Sequence, residues 1–346
     1  MPLADATSQP LWANAAIFLV AAVVVWFAGV RLTHNLDTIA RRTGMDSAFV
    51  GMLLLGGITS LPEVANVATA SRMGNPALAV NNLLGSAAIN VLLLAVADAA
   101  VGRQAVTGTV ARPSTLMMAA LCMLVLIAVA LVVTVGDVAV GGFGVGSLAI
   151  SALSIGCFRL ATGYDARSPW SVEDGSGRQD DEDEARGDHA AGMRGLCVRV
   201  ALDGALIFAA GYALSQTGDA IAEQTGMESA LVGFALIGLA TSMPELSTIL
   251  TALRLGRPEM AFGQVLGTNF INLSLLPLGD ALFDGGPVLR ELGTFEVVSA
   301  LLGASLIGVF LVGLLEHRDR TIFKMGTDSA VVIVLFALGL GLLATL

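Results

Sequence analysis

Two glutamates, Glu63 and Glu245, each directly follow a proline within a long apolar stretch, in the segments GITSLPE and LATSMPE. A proline inside a helix donates no N–H and clashes with the preceding turn, so both helices are expected to break there. The breaks leave carbonyls such as those of Ile58 and Ala240 without helical donors. Thr59 and Ser60 precede Glu63 by four and three residues, as Thr241 and Ser242 precede Glu245, which places the hydroxyls on the carboxylate's face. Further on, GSAAIN and GTNFIN set Ser86 four residues before Asn90 and Thr268 four before Asn272. Pooled, these are hard oxygen donors with no Cys or His among them, a set suited to calcium or sodium rather than zinc or copper. Each has an ordinary role when alone: a hydroxyl bonding to its own turn, an amide joining helices, or a protonated structural Glu. Occurring as matched pairs, they point to a cation site.

The surroundings of these residues are those of a membrane protein. Apolar residues make up 55% of the 346, Gly contributes 40, and charged residues only 13%, against roughly 25% in soluble chains; mean hydropathy is +0.80. The net charge of -10 argues against a nucleic-acid partner. A bilayer core about 30 Å thick needs about 20 apolar residues per helix. Ten such runs can be read, at 11–30, 47–71, 76–100, 113–135, 138–160, 198–217, 229–253, 258–283, 294–315 and 327–346. The first ten residues hold no Lys or Arg, so the first run reads as a retained helix. With both termini outside, 16 of the 18 basic residues fall in cytoplasmic connections and only Arg72 and Arg290 outside, as the positive-inside rule requires.

The chain also repeats. A shift of 182 residues lays TGMDSAFVG (43–51) on TGMESALVG (225–233), and 43–90 matches 225–272 at 23 of 48 positions without gaps. Five spans per half is an odd number, so the second copy should enter the membrane inverted, the arrangement of many secondary transporters. The expected organisation is an all-α integral membrane fold of ten helices in two inverted five-helix repeats, 1–161 and 197–346. Spans two and seven should be broken, and an acidic cytoplasmic loop at 162–196 should join the halves.

GITSLPE and LATSMPE, each followed by a Gly-Ser/Thr-x-x-x-Asn motif, resemble the paired alpha-repeats of the sodium/calcium exchanger family, over essentially the whole chain. The resemblance implies a membrane antiporter in which helices two, three, seven and eight frame a central diamond of ion sites, while helices one and six slide past the rest. It makes Glu63 and Glu245 the central carboxylates and has Asn90 and Asn272 complete the diamond. Thr59, Ser60, Ser86, Thr241, Ser242 and Thr268 would be flanking ligands. Two positions depart from the family pattern: Ala87 stands where an Asn is expected, while Asn269 is kept, and many members carry Asp where this chain has Asn272.

The expected function is exchange of calcium for sodium, with calcium/proton or broader divalent exchange as the alternative. The expected partners are the lipid bilayer and inorganic cations, with no cofactor, no enzymatic activity and no obligate protein partner; a prokaryotic inner membrane is the expected location. An intramembrane hydrolase is disfavoured, because His34, His189 and His317 form no H-E-x-x-H and no G-x-G-D precedes Asp280. A passive channel would conduct without a counter-ion. The acidic run 180–184 reads as a solvated loop, and Cys122, Cys157 and Cys197 as small buried hydrophobes. Asp98 and Asp280, matched across the repeat, are expected at helix boundaries or packing contacts. Glu259 should favour a helix start, and Asp203 and Glu296 should be interfacial.

Overall fold

The computed structural model describes residues 6–102, 105–110, 112–162, 164, 167–168, 192–225, 241–316, 321–322 and 324–346. The first half begins with α1 (Leu11–Thr43), which starts after Pro10 and stops at Gly44, whose φ of 69° lets its N–H reach the Ala40 carbonyl. Next, α2 (47–59) opens under an Asp46 cap, passes through a π-helical turn at Gly51–Leu55 and ends on the turn Gly56–Thr59. After Ser60 the chain resumes as α3 (Leu61–Arg72), with Pro62 in its first turn. Then come α4 (Pro76–Val101), α5 (Pro113–Val135), a hairpin pairing Ala139–Val140 with Phe143–Gly144, and α6 (Val145–Ala161).

The second half supplies α7 (Met193–Gln224), α8 (Met243–Arg254), α9 (Pro258–Ser274), α10 (Leu276–Leu282) and α11 (Thr294–Glu316). A hairpin pairing Thr321–Ile322 with Met325–Gly326 leads into α12 (Thr327–Leu343). The bounds of α3 and α8, of α6 and α12, and of the two hairpins differ by 182 residues throughout.

Among the described residues, seven helical segments are long and apolar enough to cross a membrane, while α6 and α12, at 17 residues, are shorter. The expected spans at 11–30 and 198–217 are in fact longer helices. In the charged extension of α1, Asp37 pairs with Arg41 at 2.8 Å and Arg257 at 3.1 Å, and Arg31 pairs with Asp203 of α7 at 2.7 Å. The expected single span 258–283 divides at Leu275, since Pro277 has no N–H for the Leu273 carbonyl. The run 138–160 opens as the hairpin, which shortens its helix. Of the expected span 229–253, residues up to 240 lie outside the described residues, as does the acidic run 180–184.

The outer surface is apolar, with Trp12, Leu19, Phe27, Leu131, Val135 and Leu338 exposed, while Asn, Ser, Thr and Glu side chains are buried among apolar ones inside. The main apolar core includes Leu83, Leu84, Met118, Phe262 and Phe270, with Phe262 edge-on to Phe310 at 5.7 Å. A separate small cluster of Ala21, Val25, Ala210, Ala213 and Leu214 joins α1 to α7. Glycines bring backbones together between α2 and α9: a Cβ at Gly263 would overlap the Ala48 carbonyl, one at Gly267 the Met52 carbonyl, and one at Gly51 the Met260 carbonyl. Backbone cannot yield as a flexible side chain can. Gly263→Val is therefore expected to destabilise the detergent-solubilised protein by about 1–3 kcal/mol in thermal unfolding, whereas Val331→Ala on the exposed face should change little.

The polar connections tie the halves together reciprocally. Asp98, at the end of α4, accepts from Val106 N at 3.1 Å, Gly326 N at 2.8 Å and Ser329 Oγ at 2.6 Å. Asp280, its repeat mate on α10, accepts from Val288 N and Gly144 N, both at 2.8 Å. Each aspartate thus caps the hairpin of the other half. Arg112 also bonds Asp46, joining the connections that precede α2 and α5.

Candidate cation site

The chain turns at Ser60 ahead of α3, where Pro62 cannot continue a helical hydrogen-bond ladder, and α8 carries Pro244 in its first turn. Both α3 and α8 carry an acid in the first turn, Glu63 and Glu245, where the helix N-terminus favours negative charge. Facing them are the middle of α4, through Ser86, and that of α9, held against α2 by the glycine contacts just described; Gly56 lies against the Thr268 hydroxyl.

All ten residues singled out in the sequence have zero solvent exposure: Thr59, Ser60, Glu63, Ser86, Asn90, Thr241, Ser242, Glu245, Thr268 and Asn272. Ser86 is the hub of their hydrogen bonding. It donates from Oγ to Glu63 Oε1 at 3.3 Å and accepts from the Asn90 and Asn272 amides at 3.4 Å each. One hydroxyl therefore links both halves of the chain to one carboxylate. Thr59 and Glu63 of the first half both lie close to Glu245 of the second. Thr59 Oγ1 itself donates to the Gly56 carbonyl at 3.5 Å.

Much of the oxygen in this region is unmatched. Ser60 Oγ, Glu63 Oε2, Asn90 Oδ1, Ser242 Oγ, both Glu245 carboxylate oxygens, Thr268 Oγ1 and Asn272 Oδ1 have no hydrogen-bond partner. Buried polar atoms are normally satisfied, at a cost of about 1–3 kcal/mol each when they are not. Eight oxygens left open around two carboxylates form a donor set that a bare cation would complete. No Cys or His belongs to the set, which fits a hard ion.

The other expectations divide. Asp98 and Asp280 do cap packing contacts, and Glu259 lies in the first turn of α9. Glu296 accepts from Gly293 N at 2.7 Å at the head of α11. Asp203 is 4% exposed and ion-paired with Arg31, because α7 begins ahead of the apolar run and carries the residue inward. Cys122 and Cys157 are buried, but Cys197 is exposed, since the first turns of α7 lie on the outside. Sequence reasoning passed over a second set of buried amides, Asn66, Asn81, Asn82 and Gln264. The pair Asn81-Asn82, two adjacent amides inside an apolar run, was the signal that could have found them.

Helices that are apolar outside and enclose two buried acids among oxygen-bearing side chains define the class: a polytopic membrane transporter of inorganic cations. The family model described as sodium/calcium exchanger protein matches residues 13–159 and 197–345, and the chain belongs to that family. The chain is 27% identical over 285 residues to "Putative antiporter CaxA" of Alkalimonas amylolytica, a match covering 78% of this chain and 82% of that protein. Its fold is similar to solved structures of the sodium-calcium exchanger NCX_Mj. The form soaked with 2.5 mM Na+ and 10 mM Sr2+ aligns with a TM-score of 0.68 at 16% identity, covering 96% of this chain and 99% of that one. The form soaked with zero Na+ and Ca2+ also gives 0.68 at 16% identity, covering 96% and 100%.

Proposed function

We propose that the chain is a secondary active antiporter that expels calcium in exchange for sodium, both ions using the oxygens around Glu63 and Glu245. The observation that carries this reading is the concentration of unpartnered oxygen at two mated carboxylates, with zero exposure and contributions from both halves. When calcium is bound, the two carboxylates match its charge, and hydroxyl, amide and carbonyl oxygens replace lost water. When counter-ions hold the same carboxylates, calcium has no ligands of sufficient charge. Competition for one set of groups gives exchange, because two uncompensated buried charges resist reorientation across the hydrocarbon.

The halves are read as inverted five-helix repeats, 1–161 and 197–346, within a ten-helix fold whose second and seventh helices are broken. The reciprocal caps of Asp98 and Asp280 support this, as does the 182-residue offset of element bounds. The basic residues favour outward termini and a cytoplasmic 162–196 loop in a prokaryotic inner membrane.

Proton coupling is the second reading, and Asn272 favours it. An amide in place of a third carboxylate leaves two acids, enough for one calcium or two protons but a weaker match for several sodium ions. Reconstituted vesicles separate the readings. Calcium uptake driven by a sodium gradient at constant pH is the expected result. Uptake driven only by a pH gradient without sodium would transfer the assignment to calcium/proton exchange, and calcium current needing no counter-ion would overturn antiport altogether.

A further inference from the structure

One helical turn beyond Glu63, toward the 73–75 turn, lies a second set of buried polar groups. Asn66 on α3 and Asn82 on α4 are each 4% exposed, Asn81 is 8% and Ser71 1%. Asn66 follows Glu63 by three residues and Asn82 precedes Ser86 by four. They therefore sit about 4.5 Å (Asn66) and about 6 Å (Asn82) along their helices from the carboxylate level, at about 1.5 Å per residue. Asn66 Nδ2 donates to Ser215 Oγ of α7 at 3.1 Å. Asn66 Oδ1, both amide atoms of Asn82, Asn81 Oδ1 and Ser71 Oγ have no partner. Such a density of unmet polar atoms inside packed helices is far from the norm.

The equivalent region of the second half is closed. The repeat mates of Asn66, Asn82, Asn81 and Ser71 are Thr248, Gln264, Gly263 and Leu253. Gln264 Nε2 donates to Thr248 Oγ1 at 2.5 Å, and that hydroxyl also lies 2.9 Å from the Pro244 carbonyl and 3.0 Å from the Glu245 carbonyl. Gly263 is seated on the Ala48 backbone, and Leu253 is apolar. Of this second set only Gln264 Oε1 stays unmatched.

We propose that Asn66 and Asn82 form an entrance station that replaces part of the water of the transported cation before it reaches Glu63, serving only the face at which α3 ends in Arg72. Ser215 holds the Asn66 amide nitrogen, which leaves Oδ1 turned to the ion. Neutral amide oxygens substitute for hydration without adding charge, so the ion is eased out of water and then drawn on by the carboxylates one turn deeper. The proposal rests on the antiport reading above and adds that the two membrane faces load the shared site through different residues.

The test is calcium flux in vesicles of defined orientation, with calcium titrated separately on each face, for N66L and N82L, which keep the branched side-chain skeleton and remove its polarity. On the Arg72 face the apparent KM should rise roughly tenfold, equivalent to about 1.4 kcal/mol, with KM on the other face held within about twofold. The smaller N66S and N82S should show the same one-sided direction should a leucine variant fail to fold. Q264L should leave the Arg72-face KM unchanged. An equal rise on both faces would mean the variants only distort the midplane site, and that outcome overturns the proposal, as does no change on either face. No flux by the unaltered protein under any gradient would instead overturn the antiport reading, and the station with it.

Discussion

Glu63→Gln and Glu245→Gln should each abolish calcium flux in proteoliposomes while yielding folded, monodisperse protein. Glutamine keeps the size and one oxygen of glutamate but removes the charge. Both side chains have zero exposure, and of their four carboxylate oxygens only Glu63 Oε1 has a hydrogen-bond partner. The ion-free fold therefore holds uncompensated acid in its interior, a situation that stabilises nothing by itself. Removing one charge should leave the melting temperature in the absence of calcium unchanged or higher. The loss should instead appear in ligand response. A protein that binds calcium only when folded gains about 2.7 kcal/mol at a concentration of 100 Kd, and that gain should vanish in either variant. Transport at normal rate by both would end the assignment of these carboxylates.

The second large effect should be structural. Asp98→Ala strips acceptors from two backbone N–H groups and one hydroxyl, those of Val106, Gly326 and Ser329. At about 1–3 kcal/mol for each buried donor left unsatisfied, the loss should reach about 3 kcal/mol or more. Asp280→Ala strips two, those of Gly144 and Val288, and should cost less. Thermal unfolding in detergent gives the ordering directly. Calcium affinity of the surviving folded fraction should be unaltered, since neither aspartate is among the groups around Glu63 and Glu245. A loss of affinity at unchanged stability would contradict the capping role.

Glu63 and Glu245 were legible because each carries its own punctuation: a proline one residue earlier and hydroxyls at helical spacing. The apolar runs revealed most helices for a related reason, since hydrocarbon admits few alternatives to a helix with all its backbone groups paired. Less visible were features set by contacts between distant segments. The charged end of α1 is held by ion pairs such as Asp37 with Arg257, 220 residues apart in the chain. The break at Leu275 was readable from Pro277, but the hydropathy of the surrounding run concealed it. The linking position of Ser86 depends on Asn272 arriving from the other half, which the sequence placed in the same motif class without indicating which groups would meet.

The length of α1 has a consequence for the lipid. Thirty-three residues span about 50 Å at about 1.5 Å per residue, well beyond a hydrocarbon layer about 30 Å thick. Such a rod must lean, or project its charged tip past the headgroups. Its partner α7 is almost as long, and the two share an apolar cluster apart from the main core. Acyl-chain length is therefore expected to set the inclination of this pair, whose Gly29 and Gly211 lie against Ser247 and Pro62. Turnover in vesicles of thin and thick lipids should accordingly differ at equal ion gradients.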